Sequence, residues 1–334
     1  MTAIGSTKAL GKLNEDRIFI RANPNFLRFR DEFIDYYSLF DGHGDLGHAS
    51  EMLCTILFRQ FSRQMHAIQH KEKAMDSQLA LALALRESFV RADLDLQSCL
   101  RPSSEACEHG CTDLKFLENP CEHQIRHLPE ETRLSAREGS TGTVVLLAEK
   151  WIMCANVGDS DCYVIFKNEG KLSIEKLTKT HCLRPSNPDW KRLKERKALG
   201  RIGGGLYVQR KGSHSVNMSR AFGDFGLKGT EDPLLSCVPS VSTIERTDQV
   251  YAFIIGSDGL WDNLRASEVL RIFENVDDLG GSPERCARAL LNTILERKRE
   301  HDKNPCLPRP YKPDDISIIV KYLQPDPTRQ KHGL

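Results

Sequence analysis

The stretch GTVVLLAEKWIMCANVGDSDCYVIFKNEGKLSIEKL, residues 142–177, contains four strand-length apolar runs with almost nothing between them. The runs are 142–148, 151–157, 161–167 and 172–177, and several are rich in the β-branched and aromatic residues that suit a pleated surface. Their connections, Glu149-Lys150, Gly158-Asp159-Ser160 and Asn168-Glu169-Gly170, are too short to hold a crossover helix. Neighbouring runs are therefore expected to be antiparallel, and the segment reads as a β-meander.

Upstream, 17–22 and 34–40 read as strands and 46–68 and 74–98 as helices. In the second helix Leu79, Leu83, Phe89, Val90 and Leu94 fall near helical spacing. From about 98 to 138 the pattern fails, and Pro102, Pro120 and Pro129 punctuate a polar loop insertion. Downstream, 182–218 is a variable, basic and glycine-rich stretch with a helix at 188–198 and the run Gly203-Gly204-Gly205. Strands are expected at 240–245, 250–256 and 316–323, and helices at 266–275 and 283–301, the latter with Ser282 as N-cap and Pro283 in the first turn. No repeat and no linker divides the chain, so residues 1–334 read as one domain. Strands come in blocks and helices in pairs, which points to an α+β fold of antiparallel sheets flanked by helices rather than a doubly wound parallel sheet.

Composition narrows the function. The 334 residues carry 47 basic and 46 acidic side chains, a formal net charge of +1, and so lack the basic excess of a general nucleic-acid binder. No run approaches the roughly 20 apolar residues of a membrane span. The start, MTAIGSTKAL, shows neither a signal peptide's apolar core nor a myristoylation glycine, and a cytoplasmic or nuclear location is expected. The 11 cysteines are odd in number and sit mostly in apolar segments, as reduced buried thiols do. None is followed by arginine six positions on, so the Cys-x5-Arg loop of thiol phosphatases is absent. Gly5 to Leu13 resembles a P-loop only superficially: the glycines are one residue too far apart, and no Ser or Thr follows Lys12. No helical stripe or strand signals a dimer, and a monomer is expected.

The acids are placed more tellingly. Asp41, Asp159 and Asp258 each follow an apolar strand and lie beside glycine, Asp262 comes four residues after Asp258, and Glu15-Asp16 and Asp314-Asp315 each lead into a strand. A single Asp-Gly at a strand end is ordinarily a turn. If these ends share one side of the sheets, four to six carboxylates converge, and like charges so close cannot all ionise without compensation. The motifs contain no matching set of bases, so cations are the natural compensation, and all-oxygen ligands select Mg²⁺ or Mn²⁺ over Zn²⁺. Two such ions about 4 Å apart can activate a water and clamp an in-line phosphoryl displacement.

Taken together, Asn14-Glu15-Asp16, Asp41-Gly42-His43-Gly44, Gly139-Ser140-Thr141, Asn156 to Ser160, Ser219 to Asp224, Ser257 to Asp262 and Asp314 to Ser317 resemble, in order, the motifs of the protein phosphatase 2C family of metal-dependent protein phosphatases. The resemblance spans about residues 14–323 and implies a four-layer α-β-β-α sandwich with a metal cleft at one edge. It implies that Asp41 bridges two Mg²⁺ or Mn²⁺ ions, that Asp16, Asp258 and Asp314 complete the carboxylate set, and that Gly42 offers its carbonyl. Asp159 and Asp262, with Asp258, match a weaker third-metal site, Glu15 acts through metal-bound water, and His43 matches the general acid. The implied activity is that of a serine/threonine phosphatase, a hydrolase of phosphoserine and phosphothreonine proteins. In it a hydroxide bridging the ions attacks phosphorus directly, with no phosphoenzyme.

The chain also departs from the family pattern. Gly11 stands where the family often has a phosphate-binding arginine; Lys12 beside it is a substitute without the bidentate fork. Asp45, Gly142 and Thr180 to Pro185 are further departures, none of them at a proposed metal ligand. Cys99, Cys107, His109, Cys111, Cys121 and His123 cluster in the insertion, but without a Cys-x2-Cys knuckle they read as part of a partner-facing loop rather than a zinc site. Arg220 is expected to be tied to a carboxylate, Asp224 to support the cleft, and 182–218 to form a flap that selects substrates. Two other readings remain: a non-catalytic relative that binds without turnover, whose signature would be lost aspartates, and a hydrolase of small phosphate compounds.

Overall fold

The computed structural model describes residues 2–7, 14–22, 27–44, 47–71, 74–100, 134–202, 205–211, 213–229, 233–278, 280–304 and 311–323. Gly11, Lys12, Asp45 and most of the insertion, with its Cys/His cluster beyond Cys99, lie outside the described residues. Residues on either side of the insertion are neighbours, because Leu134 N donates to Cys99 O and Leu100 pairs with Leu134.

Ten strands build two antiparallel sheets. They are β1 (Thr2–Thr7), β2 (Arg17–Arg21), β3 (Asp35–Phe40), β4 (Gly142–Leu147), β5 (Trp151–Val157), β6 (Asp161–Asn168), β7 (Lys171–Lys176), β8 (Ser240–Glu245), β9 (Val250–Gly256) and β10 (Ile316–Tyr322). One sheet has the order β1-β10-β9-β6-β7, the other β8-β5-β4-β3-β2. Helices α1 (His48–Lys71) and α2 (Ser77–Ser98) cover the second sheet, and α3 (Ala266–Asp278) and α4 (Pro283–Lys303) cover the first. Ser282 caps α4 by accepting from Arg285 N, with Pro283 in the first turn, as the sequence predicts.

Alternation along each strand explains the four layers. In β4, Val144 and Leu146 face α1 and α2 with Tyr36, Leu53 and Phe89, while Val145 and Leu147 face the other sheet. Between the sheets they meet Tyr37, Cys154, Cys162, Val164, Phe253, Ile255 and Ile319. Strands buried on both faces read as unbroken apolar runs, which is why they stand out in the sequence.

Two expectations need correction. The segment 142–177 is not one meander: β4 pairs with β5 and β6 with β7, but β5 and β6 belong to different sheets. Gly158-Asp159-Ser160 crosses from one sheet to the other, a path as short as a hairpin turn. Helix α2 is present, but its buried face is Leu81, Leu85, Phe89, Ala92 and Leu96, with Leu79, Leu83 and Leu94 exposed. Its sequence is apolar on several sides, so spacing alone does not select the face.

The stretch 182–218 contains a shorter helix than expected, Trp190–Glu195, and a small sheet of Leu199–Ile202, Gly205–Gln209 and Ser215–Val216. It has its own core of Leu193, Ala198, Val208, Val216 and Met218. Strand β1, absent from the sequence reading, completes the edge of the first sheet by pairing with β10.

Candidate active site

The predicted acids come from both sheets and meet at one edge. Asp16 and Asp41 lie at the ends of β2 and β3 in the second sheet. Asp258 follows β9 and Asp314 precedes β10 in the first sheet. Asp159 sits in the crossover between them. A cross-sheet bond from Glu15 N to Asp315 Oδ2, 2.8 Å long, joins the two halves.

The turns are pinned by small hydroxyl residues. Thr141 N donates to Asp41 O at 2.9 Å, Asp41 N returns a bond to Thr141 Oγ1, and Ser140 Oγ donates to Asp41 O. Thr141 Oγ1 also lies 2.7 Å from Ser160 Oγ, so the Gly139-Ser140-Thr141 segment braces the Asp41 and Asp159 turns together. Gly42 leaves room that a side chain would fill: a Cβ there would be 2.7 Å from Glu15 O and from Ser50 Oγ. Gly158 N donates to His181 Nδ1, so His181 anchors the Asp159 turn; burial, reinforced by Arg220, pulls this imidazole down to about 4.

The carboxyls perturb one another strongly. Burial, then the charges of Asp16, Asp258, Asp159 and Asp314, hold Asp41 well above the usual carboxylate range. Burial and the charges of Asp159, Asp314 and Asp262 do the same to Asp258. Burial dominates at Asp16, where the Ser317 and Ser257 hydroxyls oppose it, and the carboxyl is pushed up to about 7. At Asp159 burial and Asp161 outweigh the help of a backbone bond and His43, giving about 6. Asp262 lies at the exposed rim, paired with Lys312 Nζ at 2.7 Å.

These residues suit a hard divalent cation. Asp16 Oδ2 and Asp258 Oδ1 are buried yet have no hydrogen-bond partner, an arrangement costly for an oxygen with lone pairs to fill. The convergent donors are oxygens, the set that Mg²⁺ and Mn²⁺ prefer. Among the described residues no three His, Cys, Asp or Glu side chains stand at ligand spacing.

Beside the acids stands an imidazole network only partly visible in the sequence. His43 Nε2 is 2.8 Å from Asp224 Oδ2, and His214 Nε2 is 2.7 Å from Asp224 Oδ1. Asp224 is fully buried, in a left-handed conformation with φ 52°. Its backbone is held there by Asp224 N donating to Glu138 O and by Leu227 N donating to Asp224 O. Burial alone would raise Asp224, but the two imidazoles overcome it and bring the carboxyl down to about 2. Burial alone would likewise lower His43, but Asp224's charge and hydrogen bond prevail and raise it. Asp224 thus holds His43 and His214 at once, and His214 carries no sequence signal at all. Arg220 is tied to a carboxylate, Asp189 Oδ2, at 2.8 Å.

The fold and this edge define a class, and comparison with known proteins agrees. The protein phosphatase 2C family profile matches residues 14–303, and the chain belongs to that family. A probable protein phosphatase 2C 21 of Oryza sativa subsp. japonica is 29% identical over 248 residues, covering 72% of this chain and 65% of that protein. Protein phosphatase 2C 37 of Arabidopsis thaliana is 27% identical over 335 residues, covering 96% and 72%. The chain thus spans 65% and 72% of the lengths of these relatives. The crystal structure of a serine-threonine phosphatase 2C from Toxoplasma gondii superposes with a TM-score of 0.70 at 20% identity, covering 97% of this chain and 94% of that one.

Proposed function

We propose that the chain is a metal-dependent protein serine/threonine phosphatase that transfers the phosphoryl group of phosphoserine or phosphothreonine directly to water. The observation that carries this reading is a crowd of buried, mutually raised carboxyls with orphaned oxygens, next to an imidazole hydrogen-bonded to a buried carboxylate. Asp16, Asp41, Asp258 and Asp314, with the Gly42 carbonyl, would hold two Mg²⁺ or Mn²⁺ ions. Asp159 and Asp262, with Asp258, would serve a third, and Glu15 would act through metal-bound water. When bound, the ions supply neutralising charge and an acidified water as nucleophile.

The protein's own proton chemistry centres on His43. With Nε2 engaged by Asp224, Nδ1 is the nitrogen that delivers a proton to the departing serine or threonine oxygen. Asp224's charge and hydrogen bond raise His43 and so favour its protonated form. Lys12, outside the described residues, is the base we assign to the substrate phosphate in place of the missing arginine at Gly11. Direct transfer to water needs no cysteine nucleophile, in keeping with the absent Cys-x5-Arg loop. The seven described cysteines are all free, and no helix among the described residues is long and apolar enough to cross a membrane.

The test is hydrolysis of a phosphothreonine peptide with Mn²⁺, with chelator, and by Asp258→Ala. Turnover that requires the ion and disappears in the variant is expected. Turnover that survives both, or folded protein inert at every Mn²⁺ concentration, would overturn the proposal.

A further inference from the structure

The carboxylate that holds His43 has a second imidazole on its other oxygen, supplied by the stretch 182–218. Asp224 is out of reach of water, so its two oxygens depend wholly on protein donors. Its backbone is fixed by the bonds to Glu138 and Leu227, but its side chain can still turn about Cβ–Cγ. A carboxylate held at one oxygen swings; held at both, its plane is set. His214 Nε2 occupies Oδ1 at 2.7 Å while His43 Nε2 occupies Oδ2 at 2.8 Å.

His214 is itself oriented. Ser213 Oγ lies 3.2 Å from His214 Nδ1, and a hydroxyl donating there leaves the His214 proton on Nε2, facing Asp224. Gly226 makes the room, since a Cβ on it would come within 2.6 Å of Ser213 Oγ. One donor then serves each acceptor along the line: Ser213 hydroxyl to His214 Nδ1, His214 Nε2–H to Asp224 Oδ1, and His43 Nε2–H to Asp224 Oδ2.

We infer that His214 is a positioning residue for the reaction: by closing the second oxygen of Asp224 it fixes the orientation of His43, without touching substrate. This rests on the reading of His43 as the acid. It also makes the stretch 182–218 part of the catalytic support, and not only a surface near the cleft.

Leaving-group chemistry separates this role from a general structural one. A departing threonine oxygen needs a proton, whereas p-nitrophenolate departs without one. His214→Ala should lower kcat on a phosphothreonine peptide by about tenfold, a fraction of what a general acid contributes. It should leave KM for that peptide and kcat on p-nitrophenyl phosphate nearly unchanged. His214→Gln, which can still donate an N–H to Asp224 Oδ1, should recover most of the loss. Equal losses on both substrates, no loss on the peptide, or no recovery with Gln would overturn the inference. A second readout is independent of turnover: in metal-free protein a proton-coupled nitrogen-15 spectrum should show a slowly exchanging His43 Nε2–H that disappears in His214→Ala. Persistence of that signal in His214→Ala overturns the inference even if the enzyme is active. A signal that is present in wild type and lost in His214→Ala, in protein with no turnover, would sink only the phosphatase reading.

Discussion

Lys228 Nζ lies 2.6 Å from both carboxylate oxygens of Asp93, and both side chains are buried. Asp93 Oδ1 also accepts Gly223 N at 2.8 Å, so the pair ties α2 to the turn that presents Asp224. Removing one partner strands the other as a buried charge. Asp93→Ala is expected to cost about 3–5 kcal/mol in urea unfolding, while Asp93→Leu combined with Lys228→Met costs far less than the sum of the single changes. Additive costs would show that the ion pair is not the anchor.

Gly139 stands where His43 and Asp224 meet. A Cβ on it would collide with both His43 Nε2 and Asp224 Oδ2. Gly139→Ala should force the pair apart and lower kcat on a phosphothreonine peptide by about 10²-fold, with Mn²⁺ affinity by calorimetry retained. Wild-type turnover would mean that the His43–Asp224 bond does not matter to the reaction.

The crowded carboxyls predict a conflict between stability and function. Asp258 is raised by burial and by the charges of Asp159, Asp314 and Asp262. In chelator near pH 8, Asp258→Asn removes a carboxyl whose ionised form burial and the neighbouring charges disfavour, and should stabilise the protein by about 1–2 kcal/mol in thermal unfolding. Near pH 5 the gain should be smaller, because a raised carboxyl is more readily protonated as pH falls. The same substitution should abolish cation binding. A stability change of the same size at both pH values would exclude charge crowding as its cause.

Proton release follows from the same groups. Asp16 and Asp159 are raised to about 7 and about 6 from an ordinary 3.8. Between about pH 4 and pH 7 the folded chain therefore holds protons that the unfolded chain has released, so metal-free stability falls as pH rises through that window. Cation uptake has to expel those protons, and Mg²⁺ affinity should climb from about pH 5.5 to about pH 8. Calorimetry in buffers of different ionisation enthalpy measures the release directly; binding without it would contradict the assignment.

Legibility in the sequence tracked how local each signal is. The strands at 142–157 stand out because both of their faces are buried, but for that same reason nothing in them says which sheet each joins. Gly158-Asp159-Ser160 has hairpin length, and only tertiary packing shows that it crosses layers. The acids are readable because each sits in a short motif at a strand end. Lys228 has the look of a surface lysine until Asp93, 135 positions away, is placed beside it. His214 lies ten residues from Asp224 and far from His43 in sequence, with no spacing that singles it out. In α2 the repeated Leu-Ala pattern marks a helix but leaves its buried side ambiguous, and packing against Phe222 and the sheet decides it.

The two sheets each deliver half of the acids, and this gives the interior between them a second task. Stacked sheets stand about 10 Å apart, a distance set by the side chains they trap. Here those include Tyr37 against Phe253, with ring centroids 5.2 Å apart, and Val145, Cys154, Val164 and Ile319. The sandwich therefore works as a caliper: its jaws are Asp16 and Asp41 on one side and Asp258 and Asp314 on the other, and its setting screw is the bulk of residues that never see solvent.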